Sequence, residues 1–129
     1  MSSSDFQSNY RRPSEDETRL LTAIFDLDGN SQFDDAYVKA LRVKEMNDGG
    51  MGSLTLLQPD VDANAERKFG SALRGVDFKD SDGMHISASI NLDSNGVPFE
   101  LDLFKGDFSP LIKTPHKFTP EKIIDADEK

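Results

Sequence analysis

The first regular pattern of apolar positions along the chain is that of an amphipathic helix. Ser14 and Glu17 form a capping-box pattern after a proline, which favours a helix start at this point. The apolar residues that follow recur at helical spacing: Leu20, Leu21, Ile24 and Phe25. The pattern predicts a helix over residues 15–26, and a second, shorter helix is predicted over residues 34–41.

From residue 41 onward, apolar and polar positions alternate with the period of β-strands. The clearest alternation lies in residues 84–92, in which every second side chain is apolar. Turns rich in Gly, Asn and Asp separate the strand segments, and Asp48, Gly49 and Gly50 form a predicted structural hairpin turn. The predicted strands are residues 41–46, 52–57, 67–79, 84–92 and 97–105.

These elements predict a single domain of the α+β class. One face of the predicted antiparallel meander is apolar and requires a cover, which the first helix supplies. We therefore expect one N-terminal helix, or two, packed on a β-meander of four to five strands. Gly70 and Gly75 predict a bulge or bend in the third strand. The predicted division of the chain is a disordered arm over residues 1–12, one α+β domain over 13–112 and an extended tail over 113–129.

Composition limits the classes of partner and of chemistry. The chain has 129 residues, no cysteine and a formal net charge of −9. Disulfides and thiolate zinc sites are thereby excluded, and the negative charge favours a basic protein partner over nucleic acid. No apolar run approaches the ~20 residues that span a membrane, and the N-terminus lacks the pattern of a secretory signal. We therefore expect a cytoplasmic protein without a membrane partner.

The segment at the end of the predicted first helix begins like a calcium loop of the EF-hand kind. Asp26, Asp28 and Asn30 occupy the first, third and fifth positions of such a loop. Two departures count against the site, because Ser31 stands where the loop needs glycine and Tyr37 stands where it needs a bidentate glutamate. We therefore expect no metal site here, and a weak cation site over residues 26–37 is the open alternative.

The same segment also begins like the nucleophile loop of the aspartyl-phosphate phosphatases of the haloacid dehalogenase class. That chemistry needs Asp26 at the end of a buried parallel strand, whereas here Asp26 follows an amphipathic helix. Asn30 also stands where a threonine is usual. The segment is better explained as a turn that ends the helix, with Gly29 or Asn30 at positive φ.

The other candidates for catalysis lack companions. His85 and His116 are the only histidines of the sequence, and neither has a neighbour at metal-binding or triad spacing. Glu100 and Asp102 fall on one strand face, about 7 Å apart, where paired carboxylates are more commonly solvated charges or partner contacts. We therefore expect a protein that is not an enzyme and that uses no cofactor.

Short motifs along the chain together resemble a bacterial family of unknown function. They are Arg12-Pro13 before the first helix, DGGMGSL at 48–54, Asp82-Gly83, and ELDLFKGDFSPL at 100–111. The last motif departs from the family pattern at Phe104, where a tryptophan is expected. The resemblance implies a small, cytoplasmic, single-domain protein and carries no established chemistry. The acidity and the E-x-D-x-[WF]-K strand also resemble, more loosely, the immunity proteins of polymorphic toxin systems.

The leading hypothesis is a non-enzymatic immunity protein that binds and neutralises a basic toxin domain, for instance a nuclease. Negative charge would steer the partner, and a few desolvated contacts would hold it. The candidate partner-binding residues lie on or just beyond the outward face of the sheet: His85, Ser87, Ser89, Glu100, Asp102 and Asp107. The alternative is a housekeeping or regulatory protein-interaction domain, and the choice between monomer and dimer stays open.

Overall fold

The computed structural model describes residues 9–122, in which helices cover one face of a β-sheet. The helices are α1 (Glu15–Asp28) and α2 (Asp35–Ala40). The strands are β1 (Arg42–Glu45), β2 (Leu54–Leu57), β3 (Phe69–Ala72), β4 (Val76–Lys79), β5 (His85–Asp93), β6 (Pro98–Lys105) and β7 (Thr119–Pro120). The predicted α+β class, with an N-terminal helix before an antiparallel sheet, is confirmed.

Helix α1 begins at the predicted cap and ends at a left-handed glycine. Ser14 Oγ accepts a hydrogen bond from Glu17 N at 3.1 Å, and Glu17 Oε1 accepts one from Ser14 N at 2.8 Å. At the other end, Gly29 has a φ of 81°, and its N–H donates to Phe25 O at 3.1 Å. Of the two residues predicted for positive φ, Gly29 therefore has it, and Asn30 does not. The turn ends α1 as a C-cap.

The sheet has more strands than the four to five predicted. Seven strands pair antiparallel in the order β1-β2-β6-β5-β4-β7, and β3 pairs with β5 beside this path. Consecutive strands form a meander from β4 to β6, whereas β2 lies beside β6 and not beside β3. Periodicity identifies strands but carries no information on which distant strand becomes a neighbour, so this order is a finding of the structure.

Two additional strands arise in segments that were predicted to be one long strand and an extended tail. The predicted strand over residues 67–79 is divided into β3 and β4, which both pair with β5. The division falls next to Gly75, where an added Cβ would lie 2.1 Å from Ala88 O, so only glycine allows this close approach to β5. The strand β7 forms within the predicted extended tail and pairs with β4.

The core lies between α1 and the inner face of the sheet. The apolar residues predicted for the helix are all buried: Leu20, Leu21, Ile24 and Phe25. The sheet contributes its inward positions, among them Val43, Leu54, Leu56, Ile86, Ile90, Leu101 and Leu103. The Phe33 and Tyr37 rings pack against Phe25, with centroids 4.7 Å and 5.9 Å from its centroid, and so join α2 to the core.

A single arginine fixes the long connection between β2 and β3. Arg67 Nε donates to Asp93 Oδ2 at 2.9 Å, and its Nη1 donates to Leu56 O at 3.0 Å. The Nη2 atom donates to Gln58 Oε1 and to Pro98 O, both at 3.1 Å. Arg67 therefore ties the ends of β2, β5 and β6 together, which holds β2 next to β6 after the chain has crossed over.

The structure describes only part of the predicted N-terminal arm and of the predicted C-terminal tail. Residues 1–8 of the predicted disordered arm and residues 123–129 of the predicted tail lie outside the described residues. Arg11, which falls in the predicted arm, pairs with Val43 through backbone hydrogen bonds of 2.8 and 2.7 Å. The division itself stays a prediction. Between residues 9 and 122, no helix is both long enough and apolar enough to cross a membrane.

The left-handed cap of α1 can be tested by substitution. Gly29→Ala should lower the free energy of unfolding by ~1 kcal/mol, because a Cβ strains the backbone in this conformation. The space around the position is open to a distance of 4 Å, so a steric clash does not contribute. Gly29→Asn is the matched control and should recover part of the loss, because asparagine tolerates positive φ. Urea unfolding provides the measurement, and equal stability of Gly29→Ala and wild type would contradict the assignment.

Candidate functional site

The DGGMGSL motif forms a closed turn that is bonded to strand β6. The carboxylate of Asp48 accepts hydrogen bonds from Met51 N at 3.1 Å and from Ser53 N at 3.0 Å. Ser53 is buried, and its Oγ donates to Leu103 O at 3.2 Å and accepts from Leu103 N at 2.9 Å. The motif thus supplies polar groups that a strand of the sheet needs, which is a structural role.

The glycines of this turn contact the second long motif. Gly49 and Gly50 have φ values of 75° and 84°, which favour glycine. Gly50 O accepts a hydrogen bond from Leu111 N at 2.9 Å, and an added Cβ at Gly50 would lie 3.2 Å from Pro110 Cβ. The segment that follows β6 therefore packs directly on the first motif.

Next to this contact lies a group of charges around a buried ammonium, here called the Lys105 cluster: Lys105 and Asp80, which are buried, and Asp82, which is partly exposed. The Lys105 side chain has 0% exposure. Its Nζ donates to Asp80 Oδ2 and to Asp82 Oδ2, both at 2.8 Å, and to Pro110 O at 3.0 Å. These bonds join the end of β6 to the turn between β4 and β5 and to the segment after β6.

Asp80 also anchors the start of the tail. Its Oδ2 accepts from Ile112 N at 2.8 Å, and its Oδ1 accepts from Lys113 N at 2.9 Å and from Ser81 N at 2.7 Å. Burial alone would raise the pKa of Asp80, but the hydrogen bonds from Lys105 and from these amides outweigh burial and lower the pKa to about 2. Asp80 is therefore ionised throughout the physiological range.

The charge state of Lys105 limits what the cluster can do chemically. Burial alone would lower the pKa of Lys105, but its hydrogen bonds to Asp80 and Asp82 outweigh burial and raise the pKa. A protonated ammonium has no free electron pair, so Lys105 is neither a nucleophile nor a general base at neutral pH. The Lys105 cluster acts as an internal ion pair that holds three chain segments together.

Sequence reasoning missed the Lys105 cluster, although a signal was present. Lys105 shares a strand face with Phe99, Leu101 and Leu103, so the alternation places its side chain in the core. A lysine at an inward position requires partners of opposite charge, because an unpaired buried ammonium is strongly disfavoured. Two aspartates stand in the turn at residues 80–83 and supply those partners.

Five of the six predicted contact residues lie on the face of the sheet opposite α1, here called the outer face: His85, Ser87, Ser89, Glu100 and Asp102. The register places Ser89 opposite Asp102 and Ser87 opposite Phe104. Glu100 Oε1 accepts a hydrogen bond from Asn91 Nδ2 at 3.0 Å. The predicted residues on β5 and β6 are thus brought together on adjacent strands.

His85, the first of these five residues, and Asp107, the sixth predicted residue, lie toward one end of the outer face. His85 Nε2 is 3.2 Å from Asp77 Oδ1 on the neighbouring strand. Asp107 lies in the turn after β6, where its Oδ1 accepts from Ser109 Oγ at 2.6 Å and from Ser109 N at 3.1 Å. The hydrogen bond from the Ser109 side chain lowers the pKa of Asp107. Asp107 is therefore a turn-stabilising carboxylate just beyond the sheet.

An exposed aromatic pair, Phe104 and Phe108, completes the outer face, and sequence reasoning did not assign it a role. The side chains are exposed, at 45% and 67%, and their ring centroids lie 5.2 Å apart in an edge-to-face arrangement. Phe108 has a φ of 64° and is the single non-glycine residue with positive φ within residues 9–122. Such strain is uncommon for a bulky side chain and marks candidate functional positions.

The segment that resembles a calcium loop is part of the helical framework. Asp26 and Asp28 belong to the last turns of α1. Asp34 Oδ1 accepts from Tyr37 N at 2.9 Å and so caps α2. In the part of the chain that the structure describes, no group of three or more His, Cys, Asp or Glu residues is arranged to hold a metal ion.

The motifs described above fall within one family of proteins. A family model described as a domain of unknown function, DUF6984, matches residues 10–115. The chain belongs to this family. The DUF6984 match spans the motif region, so the predicted membership of a family of unknown function is confirmed, and the resemblance to immunity proteins stays a hypothesis. No curated protein and no solved structure matches the chain.

Removal of the buried ammonium tests the Lys105 cluster. Lys105→Met leaves the Asp80 carboxylate buried without its cation, so the free energy of unfolding should fall by about 3–5 kcal/mol. Lys79→Met is the matched control, because this lysine is exposed, and its effect should stay within about 0.5 kcal/mol. Thermal and urea unfolding followed by circular dichroism provide the comparison. Similar losses in both variants would show that the buried ion pair has no special weight.

Acidification gives an independent test of Asp80. Since its pKa is depressed from 3.8 to about 2, its stabilising contribution is complete above pH 3.8 and is lost as the pH falls from there through 2. Asp80→Asn should therefore be less stable than wild type near neutral pH, and the difference should shrink over that acidic interval. Urea unfolding at a series of pH values measures the difference, and a constant difference down to the lowest pH would refute the assignment.

Proposed function

We propose that the protein is a non-enzymatic binding protein, and specifically an immunity protein that neutralises a basic toxin domain by covering its surface. The observation that carries this proposal is the composition of the outer face, where Asp102 and Asp107 lie beside an exposed aromatic pair, Phe104 and Phe108. The inner face of the sheet is buried beneath α1, so the outer face is the sheet surface that remains for a partner.

The net charge of the chain and the carboxylates of β6 support a basic partner. Glu100 and Asp102 lie on one strand, with Asp77 and Asp107 at the margins, and the whole chain has a formal net charge of −9. A field of one sign accelerates association with an oppositely charged protein and repels polyanions. These carboxylates would therefore act mainly on the encounter with the partner and on its selection.

Phe104 and Phe108 would supply the desolvated contacts that hold the complex together. Aromatic side chains dominate the energetic centres of protein interfaces, and a polar rim around them excludes water. The outer face has this arrangement, because the exposed rings lie beside Asp102 and Asp107. A solvated face that served only solubility would gain nothing from two exposed phenyl rings.

The strands that carry these groups favour binding without rearrangement. Strands β5 and β6 are paired over most of their length, and Ser87, Ser89 and Asp102 occupy paired positions on them. Groups that are already in position lose less conformational entropy on association than groups on a loop. Occlusion of a toxin surface requires a tight and long-lived complex, which such a surface supports.

Cell protection separates the immunity role from that of a housekeeping or regulatory interaction domain. The toxin domain encoded beside the gene would be expressed in a host cell with and without this protein. Protection of the cells and capture of the purified toxin domain are the expected results. Absence of both a neighbouring toxin gene and protection would overturn the immunity role and favour the alternative.

Charge reversal on the outer face gives the corresponding residue-level prediction. The double variant Glu100→Lys/Asp102→Lys should weaken binding of the basic toxin domain at least about tenfold, mainly through slower association. Asp28→Lys is the control, because it makes the same change of charge per site on α1, in the layer opposite the outer face. A lysine is tolerated at this position because a positive charge is favourable at the C-terminus of a helix. Surface plasmon resonance at low and high salt measures the rates. Equal loss in the control would place the interface elsewhere.

A further inference from the structure

A small cavity opens on the outer face between β5, β6 and the residue that follows β7, Glu121. Its volume is about 80 Å³, which exceeds the ~30 Å³ share of one water molecule. The lining residues are Ser87, Ala88, Ser89, Asp102, Phe104 and Glu121. Two of these residues carry carboxylates, two carry hydroxyls and one carries an exposed phenyl ring, so the cavity has acceptors on several sides and an aromatic wall.

The backbone builds this cavity from three separate segments. Asp102 lies opposite Ser89 in the register of β5 and β6, and Phe104 lies opposite Ser87. Glu121 is fixed from the other side, because its N–H donates to Gly75 O at 2.9 Å and its Oε1 accepts from Gly75 N at 2.8 Å. The second carboxylate is therefore held in place by the backbone of Gly75, the residue just before β4.

Gly75, which binds Glu121, also lies close to β5 beside the cavity. An added Cβ at Gly75 would lie 2.1 Å from Ala88 O and 3.0 Å from Ser89 Cβ, so a side chain there would displace β5 or close the cavity. The absence of a side chain at Gly75 thus allows the chain that binds Glu121 to lie against Ala88 and Ser89 of β5.

The groups around the cavity suit a planar cation. A guanidinium group carries five N–H donors in a rigid fork, which can address two carboxylates and neighbouring hydroxyls at once. Its flat face also stacks on an aromatic ring. An ammonium group is a more strongly hydrated point charge with fewer donors. It therefore cannot stack on the ring as a flat group does, and it has fewer N–H groups to donate to the second carboxylate.

We propose that this cavity receives the guanidinium group of an arginine from the protein partner. The inference rests on the proposed function, because a basic toxin domain supplies the arginine. It specifies one contact between the protein and that partner. Asp102 and Glu121 neutralise the cation, Ser87 and Ser89 accept its remaining donors, and Phe104 covers its face. The charge complementarity of the cavity and a basic surface is the basis for choosing this occupant.

The test uses a small probe and no toxin. Acetyl-arginine amide would be titrated into the full-length, ¹⁵N-labelled protein at low salt, with acetyl-lysine amide and the uncharged acetyl-citrulline amide as comparisons. The arginine probe should shift the backbone amide signals of Ser87, Ser89 and Asp102 in a saturable way, with a Kd of about 1 mM. Lysine should bind more weakly, and citrulline should leave the signals unchanged. Equal shifts with citrulline, or arginine shifts elsewhere only, would overturn the proposal.

Two variants assign the binding to the cavity. Asp102→Asn preserves the shape but removes one carboxylate, and it should weaken arginine binding at least about tenfold. Phe104→Leu removes the aromatic face and should reduce the preference for arginine over lysine. Asp28→Asn, on α1, removes the same charge far from the cavity and should leave the binding unchanged. Equal weakening by Asp28→Asn would overturn the site in favour of a general charge effect.

The outcome separates this inference from the function on which it rests. Arginine binding at the cavity together with no binding of the toxin domain would refute the immunity role and leave the arginine site in place. Toxin binding that is unchanged by Asp102→Asn, with no arginine shifts at Ser87 and Ser89, would refute the arginine site and leave the immunity role in place.

Discussion

The arrangement of the second half of the chain depends on the burial of the Lys105 ammonium. An ammonium group without partners loses several kcal/mol or more when it leaves water, so a fold that directs this lysine inward must supply acceptors. Two carboxylates and the Pro110 carbonyl do so, all within 3.0 Å of Nζ. Because Asp80 also accepts from the amides of Ile112 and Lys113, the same charge holds the hairpin turn, the end of β6 and the start of the tail.

The buried charge also positions the aromatic pair on the opposite side of the sheet. Phe104 precedes Lys105 in the strand, so the two side chains point to opposite faces. The backbone after Lys105 is held at both ends, by the Phe108 N–H that donates to Lys105 O at 2.9 Å and by the bond from Lys105 to Pro110 O. This short closed segment keeps Phe108 at positive φ and its ring against Phe104, so an interior ion pair fixes an exterior surface.

The sequence predicts the parts of this fold that depend on local rules. Helix α1 and its cap follow from a capping box and helical spacing, and β5 follows from strict alternation. The position of β2 beside β6 does not follow, because it is a pairing between distant segments. Arg67, which bonds to the ends of both strands, lies in a polar segment without periodicity. The inward direction of the Lys105 side chain could be predicted from the alternation of side chains along β6. The positive φ of Phe108 could not be predicted, because a phenylalanine gives no local signal for this conformation and only the surrounding bonds impose it.

The carboxylates of this protein have two kinds of surroundings. Several arginines bind within the protein itself: Arg11 to Glu17 and Glu45, Arg19 to Asp16, and Arg67 to Asp93. In contrast, the ion pairs within residues 9–122 do not include Glu100 or Asp102. Solubility explains acidic residues anywhere on a surface, but exposed phenyl rings oppose solubility. The position of Asp102, outside these ion pairs and next to an exposed aromatic pair, therefore supports our proposal of a cationic partner.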